Sequence, residues 1–313
     1  MIMHRPDPTV AIRSLRSAAP YIRMYKGKTF VVKAGGGVFA DPVAVRGLIE
    51  QIAILHYFGV RVVFVHGGGP QLTEITEALG VPTRMVQGRR VTDQRAIDAT
   101  SMVLNGLINT KLLALCREMN IDAVGISGVD AAMIRAHKRA PVRLDTGETI
   151  DYGFVGDIDA VDTNVLTKLL DNGLMPVVSP LSADENGTLL NINADTVAAS
   201  IGSALAAEKL LLCTGAPGIL ERVDDPSSII SYTDLAGLKR LREEKKIVDG
   251  ILPKAKAIED AIRGGVRRVH VMSYKSPEGI LAEVFTNEGA GTLIVADVNA
   301  LTQAEQQSAS GGK

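Results

Sequence analysis

The sequence predicts an α/β protein, a three-layer αβα sandwich around a largely parallel central sheet. Three observations predict it. Short apolar runs rich in β-branched residues alternate with segments of helical period, as in sheets covered on both faces. The order strand, glycine-rich loop, helix is used twice near the start, at Gly35-Gly36-Gly37 and again at Gly67-Gly68-Gly69. The 313 residues are 46% hydrophobic and 22% charged, which supplies a core and excludes a wholly disordered chain. The length fits roughly two domains of about 150 residues, or one large α/β domain.

The elements follow in order. Met1 to Pro8 is polar and Pro-rich and reads as a flexible end. Val10, Ile12, Leu15, Ala18, Ala19 and Ile22 recur at near-helical spacing, giving a short amphipathic helix that ends near Tyr25–Gly27. It packs on the core or on another subunit, and the core is the favoured reading. Thr29 to Lys33 is the first buried strand, followed by a helix from Pro42 to Phe58. Arg61 to Val65 is the second strand, with a helix from about Gln71 to Leu79. Arg95 to Glu118 is helix-rich, and Ala123 to Ile126 is strand-like. Met133 to Ala136, Val142 to Leu144 and Phe154 to Gly156 read as short strands around the turn signal Asp145-Thr146-Gly147-Glu148, a hairpin inserted into the sheet. A helix over Val165–Asn172 leads to a strand over Met175–Ser179. Asn193-Ala194-Asp195 opens a helix to about Ala206. Strands at Leu210–Cys213, Val269–Met272 and Thr292–Val295 alternate with helices at Leu235–Lys245, Pro253–Arg263 and Pro277–Phe285. From about Leu301 the chain is Gln, Ser and Gly, a flexible tail.

Composition removes several function classes. The net charge is −1, so no overall field gathers nucleic acid. Aromatics are 4% with no Trp, which leaves no stacking platform for single strands. No apolar run approaches the roughly 18–20 residues of a membrane span, and no secretory h-region opens the chain. Cys116 and Cys213 form no CxxC pair and read as buried free thiols. A cytoplasmic protein with no membrane or nucleic-acid partner is therefore expected.

Ligands in an open parallel sheet bind beyond the carboxyl ends of its strands. Both triple-glycine loops leave strands at that end. Glycine lets backbone N–H groups approach an anion, and the helix N-terminus that follows favours negative charge. Plain tight packing is the alternative for each loop, and it weakens when two such loops accompany a lysine. The chain has no P-loop stretch, no protein-kinase H-R-D or D-F-G signature, and no Cys or His pair at metal-ligand spacing. Of the five histidines, only His66 adjoins a suspected site, and it reads as a packing or backbone-bonded ring rather than a base. Lys33 ends the first strand among apolar residues, where an ammonium must reach an anion or solvent. Lys254 stands at a helix start, where the macrodipole disfavours a cation unless a polyphosphate is bound. Asp195 either lies between these lysines or is a plain N-cap. Arg90 offers a planar fork for a carboxylate, or forms a surface ion pair.

Taken together, these segments resemble the amino-acid kinase superfamily, and within it the acetylglutamate branch. The residues that carry the resemblance are Val31-Val32-Lys33-Ala34-Gly35-Gly36, Val65-His66-Gly67-Gly68-Gly69-Pro70, Gly88-Arg89-Arg90-Val91-Thr92-Asp93 and Phe154-Val155-Gly156. Asn191-Ile192-Asn193-Ala194-Asp195-Thr196-Val197-Ala198 is stronger still. Ala207-Glu208-Lys209-Leu210, Pro253-Lys254 and Phe285-Thr286 with Gly291-Thr292 complete the order. The match runs from about residue 28 to 296.

The resemblance implies the amino-acid kinase fold and phosphoryl transfer from ATP to the side-chain carboxylate of N-acetyl-L-glutamate, in arginine biosynthesis. Lys33 matches the lysine that stabilises the transferring phosphoryl group, Lys254 the one on the leaving side, and Asp195 the aspartate that orients both. Gly35 and Gly36 match the phosphate loop. Gly68 and Gly69 match the substrate loop, and Arg90, Asn191 and Asn193 the residues that hold the acylamino acid. Nucleotide is expected around Gly215, Ala216, Gly218, Ile219 and Leu220, and at Lys246, Ile247 and Val248. Mg2+ is implied to bridge the ATP phosphates, mostly without direct protein ligands. The implied division is an N-terminal tail and helix (1–27), then one kinase domain (28–296). That domain has an acylamino-acid half (28–190) and a nucleotide half (191–296), with a flexible tail over 297–313. A homo-oligomer, dimer or hexamer, is also implied, because the N-terminal helix resembles the one that ties arginine-sensitive members into hexamers.

Two departures bear on this. The family reads Thr-Asp-Val where this chain has Thr214-Gly215-Ala216. Arginine-inhibited members carry an Asp-Gly-Arg-like stretch where this chain has Met272-Ser273-Tyr274-Lys275-Ser276-Pro277, which points to an altered effector site. The alternatives are a related kinase for another acidic amino-acid derivative, such as one of aminoadipate, and a kinase-like amino-acid sensor without turnover. Gly215 keeps the sensor reading open, and the retention of Lys33, Asp195 and Lys254 argues against it.

Overall fold

The apolar runs build one eight-stranded sheet in the computed structural model of the chain, which describes residues 8–86, 89–144, 146–222, 225, 227–244, 246, 252–286 and 289–298. Of the chain ends expected to be flexible, residues 1–7 and 299–313 lie outside the described residues, as do Gly88, Asp145, Lys245, Ile247 and Val248, while Pro8 already opens a helix.

Helix α1 (Pro8–Tyr25) leads to β1 (Thr29–Ala34), a 3-10 turn (Gly36–Ala40), α2 (Pro42–Tyr57), β2 (Arg61–His66) and α3 (Gly69–Ala78). The strands β3 (Arg84–Val86) and β4 (Arg89–Val91) precede a long helical run of α4 (Gln94–Ser101), a π turn (Met102–Ile108) and α5 (Asn109–Glu118). Next come β5 (Ala123–Ser127), β6 (Ile134–Lys138), β7 (Val142–Arg143), β8 (Thr149–Ile150), β9 (Gly156–Val161) and α6 (Asn164–Asp171). They are followed by β10 (Met175–Ser179), β11 (Leu181–Ala183) and β12 (Leu189–Asn191). The last part holds α7 (Ala194–Ala204), β13 (Lys209–Thr214), β14 (Tyr232–Asp234), α8 (Leu235–Glu243), α9 (Leu252–Arg263), β15 (Arg268–Ser273), α10 (Gly279–Phe285) and β16 (Thr292–Val295).

The main sheet has the order β14-β16-β15-β13-β1-β2-β10-β5. Its neighbours are parallel except β15 and β16. The period of two divides its residues between two cores. Val31, Val63, Leu210 and Leu212 face Leu166, Val197, Ile201 and Ile258 of α6, α7 and α9. Phe30, Val32, Phe64 and Leu211 face Ile49, Ile52, Leu112 and Ile280 of α2, α5 and α10. These are the three predicted layers.

β1 lies at the centre, with β2 on one side and β13 on the other. The chain leaves β1 in one direction and returns on its far side much later. That reversal opens a crevice at the carboxyl ends of β1 and β13.

Three expectations are corrected. The hairpin is not inserted into the main sheet: β7 and β8 form their own ladder, and β6 pairs with β9 in a second sheet of order β12-β11-β6-β9. Arg135, His137 and Lys138 on β6 are exposed, and a strand with such a polar face does not suit a sheet buried on both sides. Secondly, α1 packs on the core only through its last turns. Tyr25 is buried, whereas Val10, Ile12 and Leu15 are 58%, 59% and 59% exposed. Thirdly, the helical run over 94–118 is long and apolar enough, by length and composition, to cross a bilayer. It instead places Ile97, Val103, Leu104, Ile108 and Leu112 in the core.

Ala131 and Ala132 adopt left-handed backbone, with φ of 52° and 50°. A Cβ there costs roughly 1 kcal/mol per residue, and glycine avoids the clash. The double substitution Ala131→Gly/Ala132→Gly is expected to stabilise the fold by about 1 kcal/mol, read as a raised midpoint in urea with unchanged slope.

Candidate active site

Lys33 is the penultimate residue of β1, in the most buried part of the sheet, and is only 7% exposed. Its Nζ reaches Asp195 Oδ1 at 2.7 Å. Lys254 comes from the first turn of α9, and its Nζ donates to both Asp195 oxygens, at 2.9 and 3.0 Å. The cap of α7 is Asn193, whose Oδ1 accepts from Asp195 N (2.8 Å) and Thr196 N (3.3 Å). The plain N-cap reading of Asp195 therefore falls to Asn193. With its helix already capped, the Asp195 carboxylate is left to the lysines.

Burial alone would raise the pKa of Asp195, but Lys33 and then Lys254 overcome it and hold the carboxyl at about 2. Lys254 is pushed below its ordinary value, first by burial and then by Lys33, while Asp195 opposes both. Two ammonium groups share one carboxylate, so the cluster keeps a net positive charge that suits an anion.

The glycine loops interlock over this cluster. A Cβ on Gly36 would lie 2.6 Å from Pro70 Cδ and 2.8 Å from Gly69 N, so only glycine permits the approach. Gln71 Nε2 donates to Gly36 O (3.0 Å), and Gly67 N donates to Ala34 O (2.8 Å). Gly68 lies against the π turn, where a Cβ would meet Ile108 and sit 2.6 Å from Leu104 Cδ2. Among the described residues, the N–H groups of Gly68 and Gly69 meet no acceptor. His66 is fully buried, with Nδ1 3.1 Å from Gly67 O and Nε2 3.1 Å from Asn109 Nδ2. Burial lowers its pKa to about 4, so the neutral ring donates to Gly67 and accepts from Asn109. It holds the loop, as the backbone-bonded reading expects.

Arg90, on β4, donates to Thr83 Oγ1 (2.7 Å) and Thr73 Oγ1 (2.6 Å), with Gly69 O at 3.4 Å. No carboxylate pairs with it among the described residues, so the surface ion pair is not formed. A cleft of ≈ 320 Å³ has Lys33, Gly35, Gly36, Gly68, Gly69, Arg90, Asn191, Asn193 and Asp195 in its walls. Arg89 and Arg139 also line it, and sequence reasoning missed both. The Arg139 guanidinium holds Asp157, with Nε 3.0 Å from Oδ2. In the sequence it follows His137 and Lys138, and nothing distinguishes it from a solvated basic run.

Of the expected nucleotide residues, Gly215, Ala216, Gly218, Ile219, Leu220 and Lys246 are described and do not line this cleft. Gly215 and Ala216 leave β13, where Thr214 Oγ1 accepts from Ala216 N (3.1 Å). Ile219 is a core residue whose N–H donates to Thr292 Oγ1 (2.8 Å). Gly218 packs on the same threonine, and Leu220 bridges to Ile229. Lys246 follows α8 and pairs with Glu244 at 3.0 Å.

The model of the amino acid kinase family matches residues 28–273. An acetylglutamate kinase of Myxococcus xanthus is 46% identical over 93% of this chain and 95% of its own length. One from Symbiobacterium thermophilum is 40% identical over 90% and 96%. Among solved structures, N-acetylglutamate synthase from Neisseria gonorrhoeae, complexed with coenzyme A and N-acetyl-glutamate, superposes with a TM-score of 0.80 at 26% identity. That likeness covers 92% of this chain and only 64% of the synthase. By its glycine loops, its lysine–aspartate–lysine cluster and these likenesses, the chain belongs to the amino acid kinase family and, within it, to the acetylglutamate kinases.

Proposed function

We propose that this cleft transfers the γ-phosphoryl group of ATP to the side-chain carboxylate of N-acetyl-L-glutamate, giving ADP and an acyl phosphate, a step of arginine biosynthesis. The observation that carries this reading is the pair of buried lysines on one ionised aspartate beneath two interlocked glycine loops.

The acceptor carboxylate, with a pKa near 4.3, is already ionised at neutral pH and needs no general base. A neutral, loop-bound His66 is therefore no obstacle. The chemistry requires that two anions be aligned and their repulsion relieved. Lys33, at the mouth of the Gly35-Gly36 loop, neutralises charge on the transferring group. Lys254 neutralises the leaving side, and Asp195 fixes both ammoniums at hydrogen-bond distance. The free N–H groups of Gly68 and Gly69 face the acceptor. Arg90 takes the α-carboxylate, and Asn191 and Asn193 take the acylamino end. The loops after β1 and β13 cradle the nucleotide.

The site fits phosphates, because the close Gly36–Gly69 approach sets backbone N–H groups beside the net positive lysine–aspartate–lysine cluster. Mg2+ enters as MgATP, held by phosphate oxygens whose charge it offsets. The chain acts as a cytoplasmic homo-oligomer. Exposed Val10, Ile12 and Leu15 on α1 support assembly, and two buried free thiols suit a reducing compartment.

Purified protein, MgATP and N-acetyl-L-glutamate with hydroxylamine is expected to give an ATP-dependent hydroxamate. Absence of hydroxamate from folded protein would favour another acidic acceptor or the sensor reading. Arg90→Lys is expected to raise KM for N-acetyl-L-glutamate by about 10-fold, since lysine cannot reproduce the planar fork held by Thr73 and Thr83. An unchanged KM would remove Arg90 from the carboxylate site.

A further inference from the structure

Tyr274 directly follows β15, and its N–H donates to Thr214 O (2.9 Å), which ties it beside the loop leaving β13. Its half-buried ring reaches across the carboxyl ends of β13 and β1. A Cβ on Gly215 would lie 3.8 Å from the phenol oxygen, and a Cβ on Gly37 only 2.9 Å from it. The hydroxyl thus stands between the two loops; a Cβ at Gly37 would crowd it, whereas one at Gly215 would meet it at ordinary contact distance. Gly37 continues the loop that begins beside Lys33, and Gly215 directly follows β13, the strand that pairs with β1. Among the described residues, the hydroxyl has no hydrogen-bond partner. A phenol used only to fill space needs no oxygen, and this one stays open to the crevice, where a ligand can take its hydrogen bond.

We infer that Tyr274 is a nucleotide-contacting residue, its hydroxyl donating a hydrogen bond to a phosphate-chain oxygen of ATP bound across the Gly37 and Gly215 loops. The inference rests on the ATP reading of the second half of the chain.

The test is calorimetric binding of the magnesium complex of the non-hydrolysable imido analogue of ATP. Tyr274→Phe is expected to weaken binding by about 10-fold, the usual worth of a hydrogen bond to a charged group, with KM for N-acetyl-L-glutamate unchanged. Gly37→Ala places a methyl 2.9 Å from the oxygen and displaces the phenol, so it weakens binding similarly. In the Tyr274→Phe background, Gly37→Ala then adds little, a non-additivity that a packing role does not produce. Equal affinity of wild type and Tyr274→Phe overturns the inference, as does full additivity of the two changes. A penalty that vanishes with 2′-deoxy- or 3′-deoxy-ATP puts the contact on the ribose and overturns the phosphate assignment. No binding to the wild type overturns the ATP reading itself, and this inference with it.

Discussion

Alanine at Lys33 or at Lys254 is expected to lower kcat by roughly 10³-fold or more, while the protein still folds. The size follows from the role. Removing one fixed charge that faces a transferring phosphoryl group forfeits about 4 kcal/mol of transition-state stabilisation, at 1.36 kcal/mol per factor of ten. Each lysine is almost wholly enclosed, so its charge acts with little solvent screening. Folding survives because Asp195 keeps the other lysine in each variant, and because the vacated space opens onto the cleft, where water can enter. The two effects need not be equal. Lys33 sits on a central strand, whereas Lys254 is carried by the first turn of α9. The measurement is steady-state kcat at saturating MgATP and N-acetyl-L-glutamate, with circular dichroism as the check on folding. A folded variant within tenfold of wild type would take that lysine out of the mechanism.

The sequence shows one member of this cluster clearly and the other two only by type. Lys33 breaks an apolar strand, and an ammonium there demands an anion. Asp195 and Lys254 are separated from it by a long stretch of chain, and nothing local tells that one strand and two helices converge. The contest between Asn193 and Asp195 for the cap is equally non-local. Both side chains can cap a helix, and the outcome is decided by lysines that lie elsewhere in the sequence. The central strands β1, β2, β10 and β13 are legible because each is a largely apolar run buried on both faces. β3, β4, β11, β12 and β14 each have three residues, too few for any period to register. Arg90 is visible only through the Gly-Arg-Arg-Val-Thr-Asp motif, and Arg139 is hidden among neighbouring basic residues. The exposed start of α1 carries the same amphipathic signal as a packed helix, so the pattern alone cannot say what it packs on.

Asp195→Asn is expected to be the most destabilising single change at the site, and to abolish measurable turnover. The carboxylate neutralises two buried ammonium groups, and an amide leaves both uncompensated. Breaking such a buried arrangement costs about 3 kcal/mol or more, roughly 5 °C in Tm for a chain of this size. The pH dependence separates this electrostatic loss from a packing defect. In the wild type, the carboxyl titrates at about 2 rather than its ordinary 3.8. A depressed carboxyl contributes stability that is complete above its unfolded value and is lost as pH falls from about 4 towards 2. The asparagine variant lacks this acid limb. At the alkaline end the sign reverses. Lys254 already sits below the ordinary 10.5, so its protonated form opposes folding, and Asp195 is the group that moderates this. Without the carboxylate, the lysine deprotonates at lower pH, and the variant regains stability as pH rises through that value. A melting series from pH 2 to 10 therefore gives curves that converge at both ends and lie furthest apart near neutrality. A constant offset across the series would mean that Asp195 acts by packing, and that the two lysines keep their charge without it.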